Sequence, residues 1–193
     1  MILPILTYPD PRLREVSVAL KPEEFGPELK TLADNMLETM YHAKGIGLAA
    51  PQVGVTKRFL VIDCRPKDEK GRYDIKEQSE LERQISQPLF IANPKITAKK
   101  GKTTFDEGCL SVPSFYETVE RAQWIELEYQ DLEGRAQKLQ TDGLLAIVIQ
   151  HEMDHLEGTL FIDRISFVSA QRIKKQIEKH GYPSKKPVQE PAR

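Results

Sequence analysis

The sequence predicts an α+β fold: antiparallel strands around one buried helix that carries a His-Glu-x-x-His pattern, plus a C-terminal helix. Three observations lead there. Residues 27–42 place Leu29, Leu32, Met36, Leu37 and Met40 at three- and four-residue steps, the stripe of an amphipathic helix. The middle of the chain instead alternates apolar and polar residues, as half-buried antiparallel strands do. Residues 144–149 are apolar on every side, so a helix there must lie in the core. Strands segregated from a buried helix make an α+β arrangement.

Taken in order, the helix at 27–42 stops at Gly45, and a glycine-rich turn follows. Residues 58–63, Arg-Phe-Leu-Val-Ile-Asp, form a short β-prone run. Residues 66–87 are densely charged without a period, which reads as an inserted surface loop. An apolar strand resumes at 89–92, and 95–104, 118–129 and 136–140 alternate as strands, with a hairpin turn at 131–134. Thr141 or Asp142 can cap the buried helix, which runs to Leu156 and stops at Gly158. A last helix occupies about 169–179. The catalytic domain is expected to span 1–181, and 182–193, rich in proline and lysine, to be a disordered tail.

Composition excludes several classes of function. With 193 residues, 39% hydrophobic and 30% charged, the chain is long enough for one globular domain with a real core. A formal net charge of −1 gives no global attraction to nucleic acid or membrane. Two cysteines, Cys64 and Cys109, cannot build a disulfide framework and suit a reducing compartment. Prolines at 4, 9 and 11 interrupt the apolar N-terminus, and 144–149 is far too short to cross a bilayer. A cytoplasmic location without membrane contact is expected.

The sharpest chemical signal is His151-Glu152-Met153-Asp154-His155. On a helix the two histidines stand at i and i+4, one above the other, so both imidazoles can reach one cation, with Glu152 beside it. The bland alternative, two satisfied histidines on a charged turn, is weakened because the pattern follows a buried helical run. A third ligand is open. Phe161 stands where one protease class has its final histidine, which excludes that class; Glu178, 23 residues beyond His155, is one candidate. Cys109, in Glu107-Gly108-Cys109-Leu110-Ser111-Val112-Pro113, is the other, since a thiolate is a good ligand for a soft or borderline metal. Cys64, at the end of an apolar strand, reads as a small buried hydrophobe. The turn Gly45-Ile46-Gly47-Leu48-Ala49-Ala50-Pro51-Gln52-Val53-Gly54 superficially suggests a dinucleotide fingerprint. That motif needs a strand before it and a helix after it, whereas here a helix precedes and Pro51 and Gly54 oppose a long helix after it. The Gln52 amide beside the turn is available as a neutral donor.

Residues 45–54, 107–113 and 150–158 together resemble, in order, the three signature motifs of the peptide deformylases; Tyr8-Pro9-Asp10-Pro11-Arg12-Leu13-Arg14 is similar to that family's start. The resemblance covers about residues 2–180, with 66–87 an insertion relative to shorter members. It implies that Cys109, His151 and His155 hold the metal with a water in the fourth position. It also implies that formyl groups are removed from N-terminal methionine as formate, with Glu152 carrying the proton. Gln52 and the Leu110 backbone N–H match the donors that hold the formyl oxygen. Phe105, Leu144, Ile147 and Val148 match positions lining a methionine pocket, and Ile46, Gly47 and Gly108 those that pair with substrate backbone. Ligand softness alone favours zinc; the resemblance implies Fe2+, with Ni2+, Co2+ or Zn2+ able to replace it. The competing readings are a metallopeptidase using Glu178 and a structural metal module, whose site would need a fourth protein ligand and no glutamate.

Charge is asymmetric. Residues 164–193 hold eight Lys+Arg against Glu178 and Glu190, a net +6, while 1–163 hold 20 against 27. A solvated basic helix is the ordinary explanation. Formylated substrates emerge from a ribosome, however, and a basic C-terminal segment suits contact with its RNA. Because no expected site residue lies beyond His155, cutting at 168 is expected to spare the chemistry.

Overall fold

The computed structural model describes residues 1–67 and 71–182. Helix α1 spans Pro27–His42 with Pro27 in its first turn, where a missing N–H costs nothing. Its inward stripe is Leu29, Ala33, Met36 and Met40. The chain then forms β1 (Gly47–Ala49), β2 (Phe59–Ile62), a single turn α2 (Glu80–Arg83), β3 (Leu89–Lys100), β4 (Thr103–Cys109), β5 (Val112–Arg121), β6 (Trp124–Gln130), β7 (Ala136–Thr141), α3 (Gly143–Leu156) and α4 (Phe167–His180).

Five strands form an antiparallel sheet in the order β1-β2-β3-β6-β7, and β4 and β5 pair separately. Every residue of β2 is buried, because both faces are covered. Phe59 and Val61 pack with Met36 and Met40 of α1; Leu60 and Ile62 pack with Leu145 and Ala146 of α3. Each such fully buried side chain contributes about 1.5–3 kcal/mol. The predicted helical core element is thus α3, sealed against the sheet.

The expected strands 95–104 and 118–129 each cross a bend. Lys100 pairs with Trp124 in one sheet, and Thr103 pairs with Arg121 in the other. Two long strands therefore run side by side and change sheets together at Gly101, whose φ is +65°, opposite Ala122 and Gln123. Alternation survives such a bend, so it does not mark the break. A further strand, β1, lies within what reads as a glycine turn.

Residues 66–87 differ more from expectation. Gln78, Glu82 and Gln87 are buried. Neither Thr141 nor Asp142 caps α3 with its side chain: Asp142 stands at the N-cap without a cap bond, and its carboxylate accepts instead from Ser79 Oγ. The carboxylate of Glu82 receives the Leu145 N–H at 2.8 Å, meeting a helix-end donor that would otherwise be orphaned. Part of the expected insertion thus caps the helix that carries the histidines.

At the other end, α4 begins two residues earlier than expected, with Ser166 accepting from the Ser169 N–H. Ala170, Ile173 and Ile177 are its buried face; the two isoleucines pack with Val112, Val119, Leu160 and Phe161. The expectation for a cut at 168 is therefore corrected: it would strip a core cluster, not a detachable appendage. The expected tail, apart from Tyr182, lies outside the described residues. Among the described residues no helix is long and apolar enough to cross a membrane.

Candidate metal centre

Two turns of α3 and the end of β4 converge. Ligand atoms of Cys109, His151 and His155 lie within 4.8 Å of one another, and Cys109 Sγ is 3.3 Å from His155 Nε2. Among the described residues this is the group able to hold a metal ion. Glu178 is not in it; it is exposed on α4, whose inward face is apolar. The fold thus brings the cysteine, and not Glu178, beside the two histidines.

The second nitrogen of His151 is fixed from outside. Its Nδ1–H donates to Glu107 Oε2 at 2.8 Å, which leaves Nε2 for a cation. Glu107 is itself gripped by Arg121, with Nε on Oε1 at 2.6 Å and Nη2 on Oε2 at 2.8 Å. Burial alone would raise the Glu107 carboxyl, but the guanidinium and His151 hold it down at about 2. Arg121 also donates to Asp154 at 2.6 Å. Sequence reading singled out neither Glu107, although it begins the cysteine motif, nor Arg121, whose inward orientation depends on the β4–β5 register.

Cys109 Sγ accepts from the Ser111 N–H at 3.4 Å and from Gln52 Nε2 at 3.6 Å. Gln52 is 1% exposed and held at both ends: its carbonyl accepts the Ala49 N–H at 2.8 Å and its amide also donates to Ser111 Oγ at 3.1 Å. A substrate oxygen must therefore compete for an amide already engaged. By contrast, burial pushes the Cys64 thiol up to about 12, in keeping with a structural residue.

Glu152 lies 4% exposed, and its Oε2 has no hydrogen-bond partner. Burial pushes this carboxyl up to about 7, with His151 opposing; a cation nearby would draw it back down. A buried, unpartnered carboxylate oxygen beside two imidazoles and a cysteine sulfur is a set of groups that fits a first-row dication.

The remaining expected residues lie on, or directly beside, the three elements β1, β4 and α3. Gly47 lies on β1, the edge strand, with Ile46 immediately before it; Phe105 and Gly108 lie on β4. Gly47 is so close to Glu152 that a Cβ there would stand 2.4 Å from Oε1. Leu110 closes over Gly45, where a Cβ would meet its Cδ1 at 2.7 Å. Ile147 and Val148 are each 6% exposed on α3, while Leu144 is half-buried near its start. Phe105 and Ile46 are 41% and 42% exposed, which leaves both open to a ligand.

Comparison with known proteins agrees with this geometry. The family model for polypeptide deformylase matches residues 2–171. The peptide deformylase of Nitrosococcus oceani is 49% identical over 178 residues, covering 92% of this chain and 95% of that one. That of Alkalilimnicola ehrlichii is 46% identical, covering 92% and 90%. Among solved structures, the peptide deformylase of Ehrlichia chaffeensis superposes with a TM-score of 0.79 at 37% identity, covering 93% of this chain and 96% of that one. The chain belongs to the peptide deformylase family, metal-dependent hydrolases, and Cys109 of β4 with the paired imidazoles of α3 is a group that could hold such a metal.

Proposed function

We propose that the protein removes the formyl group from the N-terminal formyl-methionine of newly made chains, using one divalent metal, Fe2+, held by Cys109, His151 and His155. The observation that carries this is Glu152: a structural site has no use for a buried, unpartnered carboxylate beside its ligands. The cation supplies Lewis acidity, acidifying water and polarising a carbonyl. Glu152 receives the proton released as the water oxygen bonds to the formyl carbon. It returns that proton to the methionine nitrogen as the C–N bond breaks, giving formate and a free amine. Gln52 Nε2 and the Leu110 N–H steady the charge gathering on the formyl oxygen. Ile46 and Gly47 from one side and Gly108 from the other hold the peptide as an added strand, with its methionine side chain against Phe105, Leu144, Ile147 and Val148. Formate release from a formyl-methionyl peptide by the iron-loaded protein is the test; its absence at full metal occupancy refutes the reading.

The cell compartment this implies is the cytoplasm, and the basic C-terminal segment is proposed to contact ribosomal RNA. Arg172, Lys175 and Lys179 lie exposed on α4, away from its buried face. A cut after Tyr182, combined with Lys175→Glu and Lys179→Glu, leaves the core cluster intact. It is expected to weaken co-sedimentation with ribosomes, as raised salt does for the wild type; binding unchanged by either refutes the contact.

A further inference from the structure

The His-Glu-x-x-His pattern leaves the residue before its second histidine without a task. In this chain that residue is Asp154, 8% exposed and engaged by two arginines. Arg121 Nη1 donates to Oδ2; Arg164 donates through Nε to the same oxygen and through Nη2 to Oδ1. Arg121 turns its other two nitrogens, Nε and Nη2, to Glu107, which holds His151. The contacts therefore form one chain from Arg164 through Asp154, Arg121 and Glu107 to a metal ligand.

Charge explains why the outer end matters. Glu107 and Asp154 bring two negative charges, and Arg121 offsets one; the Glu107 and Arg121 side chains are only 3% and 4% exposed. Arg164 balances the second. Without it, Oδ1 of Asp154 loses its partner, and the unbalanced carboxylate competes with Glu107 for the one remaining guanidinium. Arg164 is also the member that reaches solvent, its side chain 45% exposed. It stands on the wall of a groove of about 560 Å³ that also passes Arg121, Gln150, Met153 and Asp154, so losing its guanidinium opens Asp154 to water there. A second contact comes from the same turn, Phe161–Asp163, that Arg164 ends. Phe161 stacks on the His151 ring, with centroids 6.5 Å apart and planes at 23°. The segment after the histidine motif thus braces His151 on its face through Phe161 and on Nδ1 through the ion chain.

We propose that Arg164 is a positioning residue for the metal centre: by satisfying Asp154 it keeps Arg121 on Glu107 and His151 Nε2 aimed at the cation. The proposal rests on Cys109, His151 and His155 being the metal ligands. The test is cobalt titration of the metal-free full chain, followed by visible absorption and steady-state kinetics, for wild type, Arg164→Met, Asp154→Asn and the double variant. Outer partners of metal ligands typically matter by 10- to 100-fold in affinity or activity, and the far end of a four-link chain belongs at about the lower figure. Arg164→Met is expected to weaken cobalt affinity about tenfold, shift the cobalt absorption and lower kcat with KM unmoved. The double variant should be no worse than Asp154→Asn alone, since both remove one pathway. Arg164→Met that matches wild type in affinity, spectrum and kcat, whatever its melting temperature, overturns the proposal, and so do additive effects in the double variant. If Asp154→Asn does not fold, the Arg164→Met comparison still decides. Failure of the wild type to take up one cobalt ion per chain would instead remove the centre itself.

Discussion

Substituting Gly47 by alanine tests the tightest contact in the site. A Cβ at this position stands 2.4 Å from Glu152 Oε1, 2.8 Å from Cδ and 2.9 Å from Cγ. Ordinary contact begins near 3.4 Å, so something must retreat by about 1 Å. The backbone of β1 resists, because Gly47 is paired with Ile62 and buried. The displacement falls on the Glu152 carboxylate, which is not a proposed ligand. A misplacement of about 1 Å in a reacting group can cost about 100-fold in rate, and the crowding itself about 1–3 kcal/mol of stability. Gly47→Ala should therefore keep its metal and its fold while kcat falls about 100-fold. Glu152→Ala, which removes the proton carrier outright, should fall at least as far. The assay is formate release from a formyl-methionyl peptide, with metal content and melting temperature measured on the same preparations. Gly47→Ala turning over within about threefold of wild type at full occupancy would show that the placement of Glu152 does not limit the reaction.

Three further outcomes follow from the site. Cys109→Ser is expected to strip or greatly weaken metal binding while exposed Glu178→Ala leaves it intact; X-ray absorption of the wild type without a sulfur neighbour on the metal would reverse that assignment. Gln52→Leu should lower kcat with little loss of metal, because a donor to the developing oxyanion acts mostly in the transition state, and an effect confined to KM counts against it. Glu82→Ala leaves the Leu145 N–H and the Ser79 N–H without the carboxylate they now share. Leaving a buried donor unmet costs about 1–3 kcal/mol. That lowers the melting temperature by several degrees without touching the ligands, and an unchanged melting temperature refutes the capping role.

What could be read from the sequence, and what could not, divides by the range of the interaction. Helix α1 was legible because its 3.6-residue stripe is a local property. His151 and His155 were legible for the same reason: their meeting is set by one helix turn. Cys109 could be weighed against Glu178 only on softness and distance in sequence; it is the hairpin of β4 and β5 that brings its sulfur to the two histidines. Glu107, Arg121, Asp154 and Arg164 escaped altogether. Each is an ordinary charged residue in isolation, and only a register that turns Arg121 inward joins them, with Glu107, Arg121 and Asp154 buried and Arg164 reaching solvent. Glu82 escaped because the charged run around it has the composition of a surface loop, although its carboxylate is used at a helix end.

The bend at Gly101 links these long-range effects to the proposed chemistry. By changing sheets, the paired strands carry Gly108 and Cys109 to α3, where Cys109 meets His155. Gln52, in the turn that follows β1, donates to Cys109 and Ser111, so the two sheets are tied together at the centre itself. On the proposed reading, a peptide entering between β1 and β4 meets backbone on both sides. On the same reading a formyl group, the smallest acyl, is what such a peptide presents to the ligands, and Gln52, held to Cys109 Sγ and Ser111 Oγ, stands beside them to receive its oxygen.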